Sequence, residues 1–380
     1  MDISGFCNSK FDRVRVEFER NFTERGDVGA SVCVTLEGET VVDLWGGTAN
    51  SQTGAPWKQD TIALVFSCTK AATALCAHML VSRGLLDLDA PVARYWPEFA
   101  QAGKENIPVR MLLNHQSGLP ATRAPLPPGA FYDWEHMTAL LAAEGPFFAP
   151  GTSQAYQWYT FGWLVGELIR RLSGKSVGTF FHDEVAGPLG LDLWIGLPEE
   201  FAPHVAPVLL TPKPAGLDPA SIPGLVWLND GGWLEECNSR PSHAAEIPAI
   251  NGITNARGLA GMYAPLACGG TLKGVRLVGP DDLARMAAVS SAIGIDGTLG
   301  GPFRFTLGFQ KFGPGNPIAS AEESFGHGGM GGSLGLADPK ACMSFGYVMN
   351  KLDTHERAAR LVDAVYLSLG YRSKASGGWI

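Results

Sequence analysis

Strand-like segments stand at both ends of this chain, and helical ones fill its middle. Val28–Val34 and Val41–Trp45, joined by the turn Glu37-Gly38, read as a hairpin. Towards the C-terminus, Phe305–Phe309 and Cys342–Met349 read as strands, and glycine-rich Gly326–Asp338 as extended chain. Helical patterning covers residues 67–84, a segment opening at Asp89-Ala90-Pro91-Val92, then Phe161–Leu172, Ala256–Leu266 and Pro280–Ala288. An amphipathic stretch, Thr354–Leu369, closes the chain. Such a chain builds one sheet only by bringing its two ends together. The expected class is α/β (α+β): an antiparallel sheet from both termini flanked by helices, plus a mainly helical lobe. The expected organisation is a single unit, 1–380, with an α/β lobe of about 1–75 plus 250–380 and a helical lobe of about 76–249. A length of 380 residues at 46% hydrophobic content is ample for a large core. The cleft then falls between the lobes.

Ser67-Cys68-Thr69-Lys70 sits where the first strands hand over to the helical part. It follows the apolar run Thr61–Phe66 and opens the helix that carries Ala71, Ala72, Leu75, Cys76, Met79 and Leu80. Side chains at i and i+3 share a helix face, with Cβ atoms about 5–6 Å apart. Lys70 therefore stands beside the Ser67 hydroxyl. A serine needs an adjacent base to act as a nucleophile at neutral pH. Lysine can be that base when burial lowers its pKa. Taken alone, the pair is also what a helix-start serine and a surface lysine would look like.

The remaining composition narrows the classes. A net charge of -8 without a basic cluster argues against nucleic acid. No apolar run approaches a membrane span, and residues 1–22 lack the apolar core of a secretory signal. The seven cysteines form no C-x-x-C pair, which fits reduced thiols and a cytoplasmic protein. Cys68, beside the candidate nucleophile, reads as a small packing residue. The eight histidines show no metal-ligand spacing such as H-E-x-x-H, so neither a metal nor another cofactor is expected.

Three further segments bear on Ser67: Leu112-Leu113-Asn114-His115-Gln116-Ser117-Gly118, Tyr156-Gln157-Trp158 after Pro150-Gly151, and Gly326-His327-Gly328-Gly329-Met330. With Ser-x-x-Lys, their order and spacing resemble the serine β-lactamase and penicillin-binding-protein superfamily, closest to the class C β-lactamase-like carboxylesterases (family VIII esterases). The likeness extends to Gly84–Asp89, Val185–Leu191 and Ile253–Ala260, so it covers nearly the whole chain. It implies a β-lactamase/transpeptidase-like fold and an acyl-enzyme on Ser67, with Lys70 as base partner and Tyr156 as proton shuttle. It implies an oxyanion hole from the backbone N–H groups of Ser67 and Met330. It also implies substrate contacts from Trp158, His327, Gly328 and Gly329. Two positions depart from the superfamily pattern. Trp158 replaces the asparagine of Tyr-x-Asn, and His327 replaces the lysine of Lys-Thr-Gly. Both changes remove polar recognition of a β-lactam and leave acyl transfer intact.

The expected activity is hydrolysis of small carboxylic esters, with short acyl chains. Alternatives are a β-lactamase, D-amino-acid peptidase or amidase, an acyltransferase, and an inactive penicillin-binding-like scaffold. Phe131, Tyr132, Trp134, Trp158, Trp227 and Trp233 are candidates for an apolar acyl pocket. Gly331-Gly332-Ser333-Leu334-Gly335 matches the Gly-x-Ser-x-Gly elbow, which needs a strand-turn-helix context with an acid and then a histidine downstream. Only 47 residues follow Ser333, the sole later histidine is His355 on the terminal helix, and no room remains for the rest of that fold. Ser333 is expected to sit in a glycine-rich turn, and Asn114-His115 to serve loop structure.

Overall fold

The computed structural model describes residues 2–312, 318, 321–372 and 379. Its main sheet is assembled from both ends of the chain. The strands are β1 (Ile3–Cys7), β2 (Gly29–Leu36), β3 (Glu39–Asn50), β4 (Phe325–Gly328), β5 (Leu334–Asp338) and β6 (Met343–Met349). They run in the order β1-β3-β2-β6-β5-β4, antiparallel throughout, and Ala55–Pro56 pairs with β3. The join between the two ends is β2 with β6, in the register Cys33↔Gly346 and Val32↔Tyr347.

Alternation along β6 assigns its two faces. Gly346 faces the helix Ala256–Ala267, where a Cβ would stand 2.2 Å from the Ala256 carbonyl oxygen. Gly335 does the same for Tyr263 of that helix, at 2.4 Å. The helix therefore approaches the sheet closely only because these positions lack side chains. Tyr347, one residue on, points to the opposite face. There its hydroxyl donates to Asp27, near the helices Asp12–Thr23 and Glu356–Leu369.

Asp27 and Arg357 form a buried ion pair at 3.5 Å behind that face. Burial raises the Asp27 pKa to about 6, while the Arg357 guanidinium and the Tyr347 hydroxyl pull it down. The guanidinium also donates to the carbonyl oxygens of Arg25 and Lys351. Removing it strands a buried carboxylate and those carbonyls. Arg357→Met is expected to lower unfolding free energy by about 3–5 kcal/mol, measured by urea denaturation. A loss under about 1 kcal/mol would mean that water replaces the guanidinium.

The helix Thr69–Ser82 runs through the interior and is buried on all sides from Thr69 to Leu80. An α-helix apolar all round belongs in a core. It is held from the middle of the chain by Thr160–Ser173 and from the end by β4. Just before it, Ala63–Leu64 pairs with Ile253–Thr254, which also pairs with Leu193–Trp194.

Two segments differ from the sequence expectation. Phe305–Phe309 forms a tight reversal instead of a strand: Thr306 N–H donates to the Phe309 carbonyl oxygen (2.9 Å), and Gly308 has φ 97°. The apolar residues there pack into the core around a turn. The segment after Asp89 forms only a short 3-10 turn, Val92–Arg94, with Pro91 before it. Val92 N–H leaves the helical pattern to donate to the Ile107 carbonyl oxygen.

Candidate active site

Ser67 stands at a strained corner. Phe66, the residue before it, has φ 46°, in the left-handed region that bulky side chains avoid. The corner is pinned from several sides. Thr69 Oγ1 donates to the Phe66 carbonyl oxygen (2.5 Å) and accepts Gly252 N–H (2.7 Å). Val65 N–H donates to the Gly252 carbonyl oxygen, and the Val65 carbonyl accepts the Ser333 hydroxyl (3.0 Å). Ser333 is itself fully buried and ties the glycine-rich turn to the strand before Ser67. It lies outside the cleft, as expected of a turn residue.

Lys70 lies one helical turn on, completely buried. Its Nζ is 3.1 Å from Ser67 Oγ, 2.5 Å from the Trp158 carbonyl oxygen and 3.1 Å from the Ala249 carbonyl oxygen. Burial holds its pKa well below the usual lysine range. A neutral amine carries two N–H groups and one lone pair. The two carbonyls take the N–H groups, so the lone pair is left for the Ser67 hydroxyl.

Tyr156 closes the other side. Its ring centroid is 4.6 Å from Lys70 Nζ. Burial raises the pKa of its phenol, while a hydrogen bond with Ser67 pulls the other way. The backbone at Tyr156 is fixed by two residues far off in sequence. Asp296 Oδ1 accepts Tyr156 N–H (3.1 Å) together with Thr298 and Leu299 N–H (both 2.9 Å). His115 Nδ1 accepts Gln157 N–H (3.2 Å), and its ring packs 4.8 Å from that of Tyr156. Burial and the neighbouring Lys70 hold His115 well below the usual histidine range, so its Nδ1 is free to accept.

Ser67 and Tyr156 open into a cavity of about 250 Å³, with Trp158, Gly328, Gly329 and Met330 also in its wall. Neither the Ser67 nor the Met330 backbone N–H donates to a protein acceptor among the described residues. Gly329 between them admits no side chain, since a Cβ would stand 2.1 Å from Ser333 Oγ and 2.2 Å from the Val65 carbonyl oxygen. The wall holds no Lys, Arg, Asp or Glu among the described residues.

The ring of His327, expected to face substrate, does not line this cavity. It is buried behind it, 6.0 Å from the Tyr156 ring, with Nδ1 2.7 Å from the Gly328 carbonyl oxygen and Nε2 without a partner among the described residues. Burial and Lys70 hold its pKa down at about 3. Strand parity explains the placement: successive residues of β4 point to opposite faces. Of the six candidate pocket aromatics, Trp158 and Trp227 line the cavity, with ring centroids 4.6 Å apart. Phe131 and Trp233 pack in the core, and Tyr132 and Trp134 border a separate surface hollow.

Sequence reasoning missed Ala249, Asp296, Gln310 and the cavity-facing role of His355. Asp296-Gly297 carries a local signal, since Asp before Gly favours a turn whose side chain accepts backbone N–H groups. The other three have none.

Comparison with known proteins agrees with this arrangement. A family model described as beta-lactamase matches residues 18–368. The Mycobacterium tuberculosis protein named esterase/beta-lactamase LipL is 34% identical over 370 residues, covering 92% of this chain and 83% of that one. The crystal structure of a family VIII carboxylesterase superposes with a TM-score of 0.90 at 38% identity, over 97% of this chain and 100% of that one. A penicillin-binding protein homologue from Caulobacter crescentus superposes with a TM-score of 0.87, also at 38% identity, over 97% and 100%. With the match spanning both ends of the sheet and the segment that carries Ser67, the chain belongs to the beta-lactamase family.

Proposed function

We propose that this protein is a carboxylesterase-type serine hydrolase that cleaves small esters through an acyl-enzyme on Ser67. Ser67 Oγ attacks the ester carbonyl carbon, and its proton passes to the neutral amine of Lys70. The oxyanion is held by the Ser67 and Met330 N–H groups, each such donor contributing about 3–4 kcal/mol to the transition state. Tyr156 carries a proton to the departing alkoxide. Its phenol is neutral at rest, because burial disfavours the phenolate. Water then attacks the acyl-enzyme by the reverse proton path and releases the acid. The observation that carries this reading is the buried Lys70, both of whose N–H groups have carbonyl partners while Ser67 takes the third position.

The uncharged wall of the cavity supports esters over β-lactams. The Trp158–Trp227 pair offers an apolar surface to an acyl or aryl group. His327, neutral and buried, gives no cation to a β-lactam carboxylate. Loss of a charge-assisted hydrogen bond costs about 1.5–3 kcal/mol, so kcat/KM for 4-nitrophenyl butyrate is expected to exceed that for a chromogenic cephalosporin by at least about tenfold. Equal turnover of the two would sink the reading of the cavity. A fluorophosphonate adduct on Ser67, found by peptide mass spectrometry, tests the nucleophile directly. Seven free cysteines support a reducing compartment, and we assign the protein to the cytoplasm. Among the described residues no helix is long and apolar enough to cross a membrane.

A further inference from the structure

Residues 153–157, which carry Tyr156, form neither helix nor strand. No ladder fixes their backbone, so its polar groups must find partners elsewhere. Tyr156 N–H goes to Asp296 Oδ1 and Gln157 N–H to His115 Nδ1, one acceptor for the peptide on each side of the tyrosine. His115 holds the side chain as well. Its ring lies 4.8 Å from the phenol ring, and Phe305 packs against both, 4.5 Å from His115 and 5.9 Å from Tyr156.

The approach of His115 is itself enforced. Its φ is 64°, in the left-handed region. A residue other than glycine stays there only where its surroundings impose it, and such strain gathers at working sites. Here the tyrosine's own segment does much of the imposing. Ala155 N–H donates to the His115 carbonyl oxygen (3.1 Å), and Gly151 N–H to that of Gln116 (3.0 Å). Ser117 Oγ donates to Gln157 Oε1 at 3.3 Å, and Gln116 N–H ties the loop back to the Met111 carbonyl oxygen. The two loops are thus stitched together along their length, with His115 opposite Tyr156. His115 is 2% exposed and is not part of the cavity wall. It bears on the reaction only through what it holds.

We propose that His115 is a positioning residue: it fixes the 156–157 peptide through Nδ1 and the phenol through ring packing, and so aims the Tyr156 hydroxyl at the departing alkoxide. An accepting Nδ1 leaves the ring proton on Nε2. This deepens the ester-hydrolase reading and rests on it. The role has a signature that general loosening of the fold lacks. An alkoxide must be protonated as it leaves, whereas 4-nitrophenolate departs without a proton. A displaced Tyr156 therefore harms the alkyl ester more than the nitrophenyl ester.

The test compares kcat/KM for benzyl butyrate and 4-nitrophenyl butyrate, which share an acyl group and differ in leaving group. This quantity ends at departure of the alcohol and leaves deacylation out. His115→Phe keeps a ring and loses the acceptor. It is expected to lower benzyl butyrate hydrolysis about tenfold more than 4-nitrophenyl butyrate hydrolysis, as suits a small displacement of a proton donor. His115→Gln carries its amide past the Nδ1 position and is expected to show the same selective loss, which serves if the phenylalanine variant does not fold. His115→Asn sets an amide oxygen near the Nδ1 position and suits a left-handed backbone. It is expected to recover part of the loss on benzyl butyrate. On a Tyr156→Phe background, replacing His115 is expected to leave the ratio of the two esters unchanged.

A folded His115→Phe or His115→Gln in which both esters fall by the same factor, or neither falls, overturns the positioning role. So does an asparagine variant no better than these, or a selective loss that persists in full without the Tyr156 hydroxyl. Wild-type protein that hydrolyses neither ester is a different failure, that of the ester-hydrolase reading itself.

Discussion

Ser67→Ala is expected to abolish hydrolysis of 4-nitrophenyl butyrate, lowering kcat by about 10⁴-fold or more while the fold is kept. Losses of that order accompany removal of a nucleophile whose partners act as one unit. The hydroxyl is the group Lys70 faces, and it stands in the cavity wall beside the two open N–H donors. The backbone of the corner is pinned without it, through Phe66, Thr69 and Val65. Ser333→Ala gives the contrast. Its hydroxyl donates to the Val65 carbonyl oxygen, so the variant loses about 1 kcal/mol of stability and keeps most activity. A folded Ser333→Ala without activity beside an active Ser67→Ala would reverse the assignment of nucleophile.

Lys70→Ala and Tyr156→Phe are each expected to lower kcat by at least about a hundredfold, the usual worth of general acid–base help. The double variant is expected to be little worse than either single one, since the two share one proton path. Fully multiplicative losses would separate them. Lys70→Arg does not rescue, because a guanidinium stays protonated and has no lone pair for the serine. The pH profile has a defined sign. Lys70 must be neutral to take the proton, and burial puts its pKa well below the usual 10.5. Activity therefore falls as pH drops through that lowered value and is already high below 10.5. An ascending limb that stays near 10.5 in the profile of kcat/KM would mean that Lys70 is not the base.

The parts of this site legible in the sequence are those set by local geometry. Ser67 and Lys70 declare themselves because a helix places i and i+3 together. Tyr156 carries no local signal and is recognisable only through its motif. Ala249, Gln310 and His355 reach the site only when distant segments close on it, so no spacing announces them. For the fold, alternating or apolar runs mark β2, β3 and β6 correctly. Phe305–Phe309 misleads for the opposite reason: composition reports burial, and both a strand and a buried turn are apolar. Gly308 at its centre is the usable warning, since glycine inside an apolar run marks a bend or a close approach. A Cβ there would stand 2.3 Å from the Ala74 Cβ.

The seam between β2 and β6 sets a schedule for how this protein comes into being. Thr35 and Ser344 meet across it at 309 positions' separation, and Ser333 reaches Val65 across 268. Contacts of such long range slow folding, because a large loop must close before they reward it. During synthesis β2 and β3 emerge early and wait with one edge of the hairpin bare, a state open to wrong partners. One of the contacts that pin the corner before Ser67 forms only once the turn carrying Ser333 has left the ribosome. The cavity wall that Ser67 shares with Gly328, Gly329 and Met330 therefore closes only after the long stretch of chain between them has been made.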